Sequence, residues 1–299
     1  MPVTSSNFGE LLEPVINGAY GLEYNRYPDE YKYIFDVKGS ARAYEEMLSI
    51  AGFGQAPVKT EGSSISFVEP KQGFLGRLTH ITYGQGFIVS REMYEDELFN
   101  QVKAMARHLG RSLRETTEVV SANILNNAFD SNFVGSDGLE LCSTAHLLEK
   151  GGTMANEPST PGDFTEETLR AALVDISNYV DGAGLKTQIR AIRLIVPPEL
   201  DFQASRILES TLQPESANNA INPAKGRVPY VQNHYLTDPN AWFLVTDCPD
   251  SMCFYWRRKA QFGLDNDFDS ENAKYKSTMR FSAGWYDFRG IYGNDGGGS

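Results

Sequence analysis

Apolar side chains recur at steps of three, four and seven residues across residues 91–129, which places them on one face of a helix. Ser90 can cap the first turn, and the acidic residues that follow lie where the helix dipole favours negative charge. Gly110 lies near the middle and predicts a bend or a close approach. At about 1.5 Å per residue one helix of this span is roughly 58 Å long, so we predict a spine helix. Its apolar positions are Leu98, Val102, Met105, Leu109, Leu113, Val120 and Ile124.

The chain before this helix divides into an aromatic segment and a region of β character. Residues 1–40 are rich in Tyr and Phe but show little periodicity beyond a short helix at 7–16, so we expect an extended arm lying on the molecule or on a neighbour. A short helix is expected at 41–51. Alternation at 64–68 and 78–83 around a turn at 69–73 then predicts a long hairpin within 53–90, which leads into the spine helix.

The chain after residue 129 mixes helices and strands. Residues 131–162 are rich in Gly, Ser, Asn and Pro and predict a loop with an ordered piece at 139–148. Thr165 begins a second helix, with Phe164 and Leu169 placed for a hydrophobic staple, and the helix is expected to stop at Gly182 and Gly184. The order of elements indicates an α+β protein. Further elements are a strand at 189–196, a helix at 199–212, and strands at 228–235, 242–246, 252–256 and 274–285.

Composition and charge narrow the class of protein. The 299 residues are 41% hydrophobic and 22% charged, which is typical of a globular protein, and no apolar run reaches the roughly 20 residues that span a bilayer. The N-terminus has neither a basic segment nor an apolar segment of a signal peptide, so we expect a soluble protein that is not exported. Three cysteines without a CxxC pair argue against a disulfide framework and a thiolate zinc site. A formal net charge of −12 argues against a protein that grips phosphate backbones over a large area.

The motifs of common hydrolases, zincins, P-loop proteins and dinucleotide-binding proteins are absent from the sequence. Asp265, Asp267 and Asp269 resemble the start of a calcium loop, but Ser270 and Lys276 replace the glycine and the bidentate glutamate of that loop. The alternative is a solvated acidic loop.

Two further groups of residues are candidates for a catalytic or a binding site. Cys142 and His146 could form a nucleophile–base pair, although a hydrogen-bonded structural histidine is the simpler interpretation. The basic cluster at 257–259 could touch nucleic acid or a neighbour's carboxylates, or simply face solvent. We assign no catalytic, cofactor-binding or metal residue and expect no enzyme.

Three stretches together resemble the major head subunits of Mu-like tailed phages. They are DGLELCSTAH at 137–146, LIVPPEL at 194–200 and YLTDPNAWFL at 235–244, and their order and separations match as well. The lead-in at 86–92 and the close at 280–290 fit the same pattern, so the resemblance covers about residues 60–292. Cys142 and Leu147 depart from it, where phenylalanine and proline are expected.

The resemblance implies the Hong Kong 97 type capsid fold. On this basis we expect an N-terminal arm at 1–52, an extended hairpin (E-loop) at 53–90, and a peripheral domain at 91–163 that carries the spine helix. An axial domain is expected at 164–250, with return strands and a loose tail at 251–299. Deleting residues 1–38 should then leave a folded but assembly-deficient subunit.

The implied function is that of a major capsid protein that assembles through hexamers and pentamers into an icosahedral head. The expected partners are copies of itself, portal, scaffold and cement or decoration proteins, and double-stranded DNA that is enclosed without sequence-specific binding; no membrane is involved. The expected location is the virion, after assembly in the bacterial host cytoplasm. An encapsulin-like protein shell, an accessory virion protein, and an enzyme with a site near Cys142 and His146 remain as alternatives.

Overall fold

The computed structural model describes residues 8–96, 99–213, 220–266 and 272–297. Within these ranges the chain forms five α-helices and twelve strands, in the mixed order that the sequence predicts. The helices are α1 (Phe8–Tyr24), α2 (Arg91–Glu95), α3 (Phe99–Asn126), α4 (Glu166–Ser177) and α5 (Asp201–Glu209). The strands are β1 (Asp36–Gly39), β2 (Tyr44–Ala51), β3 (Lys71–Thr79), β4 (Ile81–Val89), β5 (His146–Leu147), β6 (Thr153–Met154), β7 (Ala191–Val196), β8 (Tyr230–Gln232), β9 (Trp242–Thr246), β10 (Met252–Asn266), β11 (Ala273–Trp285) and β12 (Ile291–Asn294).

The N-terminal segment lies on the rest of its own chain, which is one of the two expected positions, but residues 8–35 are largely helical rather than an extended arm. Helix α1 runs to Tyr24 and is followed by a 3-10 turn at Glu30–Tyr33. The aromatic and aliphatic side chains of this segment are buried in the core of their own chain, because they pack on α3 and on the sheet beneath it. Those side chains are Ile16, Tyr20, Tyr31, Ile34 and Phe35.

A hairpin exists, but residues 64–68 form no strand, and residues 78–83 are divided between the end of β3 and the start of β4. β2 pairs antiparallel with β3, so residues 44–51, expected to be helical, form the first strand of a two-stranded ribbon. Residues 52–70 connect the two strands without regular structure. β4 belongs to a different sheet, where it pairs with β11. The helix predicted at 44–51 is wrong. In the strand Leu48 and Ile50 face outward, whereas the prediction assumed that apolar residues are buried.

The long helix is present as α3, of 28 residues, and is preceded by the separate helix α2. The single helix predicted for 91–129 is therefore too long: α2 ends at Glu95, α3 ends at Asn126, and Leu98 lies outside the described residues. The Ser90 cap is confirmed, since its Oγ accepts from the Met93 N–H at 3.4 Å.

The buried face of α3 contains the predicted apolar stripe and several polar residues that the stripe did not include. Val102, Leu109 and Leu113 are buried as predicted. The same face continues through polar side chains that are almost fully enclosed, which a hydrophobic pattern cannot reveal. They are Arg114, Thr117, Glu118 and Ser121.

Helix α3 and α1 lie against a four-stranded sheet of order β1-β10-β11-β4. Strand β1 is parallel to β10, and the other neighbours are antiparallel. Aromatic rings cover the sheet face under the helices: Phe254 stacks on Phe281 at 5.0 Å and Phe87 stacks on Tyr275 at 4.9 Å between ring centroids. This packing forms the larger hydrophobic cluster of the molecule.

A second sheet, of order β12-β9-β7-β8, separates two hydrophobic clusters. Alternation along β9 directs Trp242 and Leu244 to the cluster under α4 and α5, and Phe243 and Val245 to the cluster under α3. The predicted start of α4 is confirmed, because Thr165 and Thr168 form a reciprocal capping box. The strand at 242–246 is confirmed, and those at 189–196 and 274–285 are confirmed to within two residues.

The part of the chain that the structure describes holds no helix both long and apolar enough to cross a membrane.

Candidate functional site

His146 lies at the centre of a buried polar network rather than beside a reactive thiol. The residue is fully buried and stacks on Phe288 with 3.9 Å between ring centroids. Its Nδ1 lies 2.6 Å from Asp137 Oδ2, and its Nε2 lies 3.1 Å from Asn156 Oδ1. Asp137 is the orienting acid that the sequence spacing did not reveal.

Asn156 fixes the role of this histidine. Its Nδ2 donates to the carbonyl oxygens of Leu141, Phe288 and Ile291, at 2.8, 3.1 and 3.1 Å. Its Oδ1 accepts from the Ser143 N–H at 2.8 Å, so the orientation of the amide is determined. Both nitrogens of His146 are therefore engaged by oxygens of Asp137 and Asn156, which leaves no ring nitrogen open to a nucleophile.

Cys142 is equally unsuited to nucleophilic chemistry. The thiol is 1% exposed, and burial, with Glu157 and Glu140 nearby, raises its pKa well above its usual range. A Cβ at Gly293 would lie 2.4 Å from Cys142 Sγ, which shows how closely β12 covers the sulfur. The network around Cys142 and His146 therefore joins the 137–156 loop to the chain end at 288–294 and supports a structural role.

The acidic run at 265–269 and the basic cluster at 257–259 are the other candidates from the sequence, and the structure describes only part of the first. Among the described residues no group of three or more His, Cys, Asp or Glu side chains is placed to hold a metal ion. Asp265 is exposed at the end of β10, while Asp267 and Asp269 lie outside the described residues. The basic cluster Arg257, Arg258 and Lys259 is exposed at a register shift in β10.

Five exposed apolar side chains lie along the connection between β2 and β3, residues 52–70, which we call the ribbon tip. Phe67 is 93% exposed and Val58 is 94% exposed, and Ile65, Phe53 and Val68 are each more than half exposed. Several exposed apolar side chains on one segment favour a contact site in a soluble protein. The sequence predicted that this ribbon contains apolar residues without a local partner, and the exposure values agree.

The ribbon meets the body of the molecule above a cavity of about 450 Å³. Phe74 of β3 lines one side, and Glu149, Trp285 and Arg289 line the other. Hydrogen bonds from Lys150 Nζ to the Gly52 carbonyl at 2.8 Å and from Tyr286 Oη to the Glu45 carbonyl at 3.1 Å join the ribbon to the body.

Glu118 on α3 holds the N-terminal segment in place. Its side chain is 1% exposed and accepts from the N–H groups of Glu30 and Tyr31, each at 2.9 Å. Burial raises the pKa of Glu118 to about 7, although the two backbone N–H groups and Arg114 act in the opposite direction. Sequence reasoning missed this residue; the one available signal was a carboxylate on the same face of the helix as the apolar stripe.

The sequence of the chain was compared with protein-family models and with curated proteins. The family model described as phage capsid protein matches residues 77–294. No curated protein sequence matches the chain.

Three solved structures illustrate the likeness of fold. The capsid of a native GTA particle is 14% identical, with a TM-score of 0.58 and coverage of 88% of each chain. The procapsid of bacteriophage JBD30 is 14% identical, with a TM-score of 0.53, and covers 98% of this chain and 76% of its own. A virus-like particle from Pyrococcus furiosus is 12% identical, with a TM-score of 0.53 and coverage of 93% and 97%.

Proposed function

Because the chain belongs to the phage capsid protein family and is a major capsid protein with the Hong Kong 97 type fold, we propose that it assembles through hexamers and pentamers into a head that encloses double-stranded DNA. The contacts between subunits are heterologous, since such contacts close into rings and the rings then tile a closed surface. Each contact is modest, and the many contacts per subunit stabilise the finished shell.

The ribbon tip is the observation that carries this proposal. Phe67 and Val58 extend into solvent with more than nine-tenths of their surface exposed. Burying either side chain at a neighbour contributes about 1.5–3 kcal/mol. We assign the ribbon as the E-loop that reaches the next subunit, with paired strands at 44–51 and 71–79.

The two hydrophobic clusters correspond to the two domains of the proposed assembly unit. The cluster under α3 and α1 forms the peripheral domain, and the cluster under α4 and α5 forms the axial domain at the centre of each ring. The shared sheet β12-β9-β7-β8 fixes the two domains to each other. We keep the boundary between the two domains near residue 164, and we add α1 and the 3-10 turn at Glu30–Tyr33 to the peripheral domain.

The proposed partners and location follow from the same role. Portal, scaffold and decoration proteins complete the head, which forms in the bacterial cytoplasm and becomes part of the virion. A net charge of −12 suits a container that must release its DNA, because a strongly basic lining would bind DNA in a salt-dependent manner. Catalysis has no part in this proposal, and the buried donors of His146 and the buried Cys142 thiol support that view.

The test replaces Val58 and Phe67 together by serine. Both side chains are exposed in the subunit, so the free energy of unfolding should change by less than about 0.5 kcal/mol. The yield of particles or rings, measured by negative-stain electron microscopy and size-exclusion chromatography with light scattering, should fall strongly.

The matched control replaces the polar residues Lys59 and Glu69 of the same segment by serine, and it should assemble as wild type does. If the Val58/Phe67 variant forms particles at the wild-type yield, the ribbon tip is not the assembly contact.

A further inference from the structure

The N-terminal segment covers a carboxylate on the long helix. The carboxyl of Glu118 meets the first N–H groups of the turn at Glu30–Tyr33, and the flanking residue Asp29 offers no side-chain cap of its own. Glu118 thus caps a turn that lies 88 residues earlier in the chain. If this segment left the helix, Glu118 would return to water, because the partners of its two oxygens belong to the segment.

The charges around Glu118 do not fully compensate its burial. Arg114 is the cation on the same helix, but its Nη2 lies 3.7 Å from Glu118 Oε1 and donates to the Pro28 carbonyl. The Nε of Arg114 lies 3.8 Å from Asp29 and has no hydrogen-bond partner. Glu118 therefore shares one guanidinium with the segment that covers it.

The other charged and titratable groups near Glu118 lie on the segment, on α1, on α3 and in the loop after β8. On the segment, Asp29 is paired with Lys32 at 2.7 Å. Glu30 accepts from His234 Nδ1 at 2.6 Å and from the His234 N–H at 2.9 Å. The remaining groups are the phenols of Tyr24 on α1, of Tyr31 in the turn and of Tyr235 in the loop after β8, and exposed Glu115 on α3. Asp29 and Glu30 thus each have a partner of their own, Lys32 and His234, and neither partner contacts Glu118.

We propose that docking of residues 27–35 onto α3 is coupled to a proton on Glu118, so that the segment is held tightly at mildly acidic pH and loosens as the pH rises above neutrality. A protonated carboxyl retains acceptor capacity for the two backbone N–H groups and avoids the cost of burying a charge. An ionised carboxyl regains its hydration only when the segment leaves.

The pH dependence of docking follows from the difference in proton binding by Glu118 between the docked and undocked states. The pKa of Glu118 is about 7 in the docked state, against an ordinary value of 4.5 when the side chain is hydrated. The docked state therefore binds the proton more tightly, and the contribution of Glu118 to docking is complete below pH 4.5 and lost as the pH rises through about 7. The docking constant should fall about tenfold between pH 6 and pH 8.

Hydrogen exchange of the Glu30 and Tyr31 amides measures docking directly, because these N–H groups donate to Glu118. The experiment uses the full chain and mass spectrometry of peptides covering 27–35, with rates corrected for the intrinsic effect of pH. Protection in wild type should be about tenfold lower at pH 8 than at pH 6. The amides of β9, in the buried second sheet, should keep the same protection at both values and serve as the folding reference.

Three variants assign the response. Glu118→Gln cannot ionise and should lose the pH dependence. Glu115→Gln, an exposed carboxylate on the same helix, and His234→Gln, which removes the partner of Glu30, should keep the tenfold ratio. Equal protection at both pH values in wild type, a response that survives in Glu118→Gln, or a response lost in His234→Gln would each overturn the proposal. If Glu118→Gln fails to fold, wild type and the other two variants still decide the matter.

Discussion

Gly110 shows how one residue determines how closely two helices pack. A Cβ at this position would lie 2.7 Å from the Tyr20 carbonyl oxygen of α1, which is closer than real Cβ atoms approach. The sequence predicted either a bend or a close approach here, and the structure shows the close approach. A Cβ at Gly18, on α1, would have no atom within 4 Å. The two glycines can therefore be compared directly, one in a close helix contact and one in open space.

We predict opposite effects of alanine at these two glycines. Gly18→Ala should stabilise the protein by up to about 1 kcal/mol, because alanine favours the helix and meets no neighbour. Gly110→Ala gains the same propensity but forces α1 away from α3, and should destabilise by about 1–3 kcal/mol. Denaturant unfolding followed by circular dichroism measures both changes; an unchanged or raised midpoint for Gly110→Ala would contradict the packing described here.

The buried network around His146 shows the limit of sequence reasoning for a single residue. The sequence singled out His146 and Cys142, four positions apart, but not Asp137 or Asn156, which decide what the histidine does. Those partners come from loop positions nine and ten residues away in either direction. The path of an irregular loop follows no periodicity, so no pattern in the chain could identify them.

Elements with a regular hydrophobic period were predicted well, and those stabilised by distant contacts were not. The stripe on α3 and the capping residue of α4 gave sound predictions because both are local signals. Strand β2 was wrongly expected to be a helix. Its strand structure depends on pairing with the distant β3, and that pairing leaves apolar side chains on an exposed face. Helix α1 was expected to end near residue 16 but continues to Tyr24. The last part of the helix packs on α3 and β10, and such distant contacts leave no local pattern in the sequence.

The position of the N-terminal segment changes the expected result of a truncation. Deleting residues 1–38 removes Ile16, Tyr20, Tyr31, Ile34 and Phe35 from the larger core and leaves Glu118 without its backbone partners. Each large buried side chain contributes about 2–5 kcal/mol, so the truncated chain should not fold, rather than fold without assembling. Circular dichroism and thermal unfolding test this. A truncated chain that unfolds cooperatively near the wild-type temperature would show that α1 is dispensable.

At the scale of the whole molecule, the fold arises from two cores that share one sheet. The sequence indicated the α+β class and, through its resemblance to tailed-phage head subunits, the Hong Kong 97 type fold; the family match and the structural likeness confirm both. The resemblance rests on motifs at 137–146, 194–200 and 235–244, which lie in or beside the shared sheet and the His146 network. The proposed contact at the ribbon tip has no such local motif, because it depends on a surface and on the copy that covers it.

The measurement that tests the central claim most directly is electron microscopy of the protein expressed alone, together with size-exclusion chromatography and light scattering over a range of concentrations. A subunit whose ribbon tip is covered by its neighbours should give closed particles or ring-shaped capsomers of several copies. A homogeneous monomer or dimer at every concentration would contradict the account, because the exposed apolar ribbon tip would then persist without a partner.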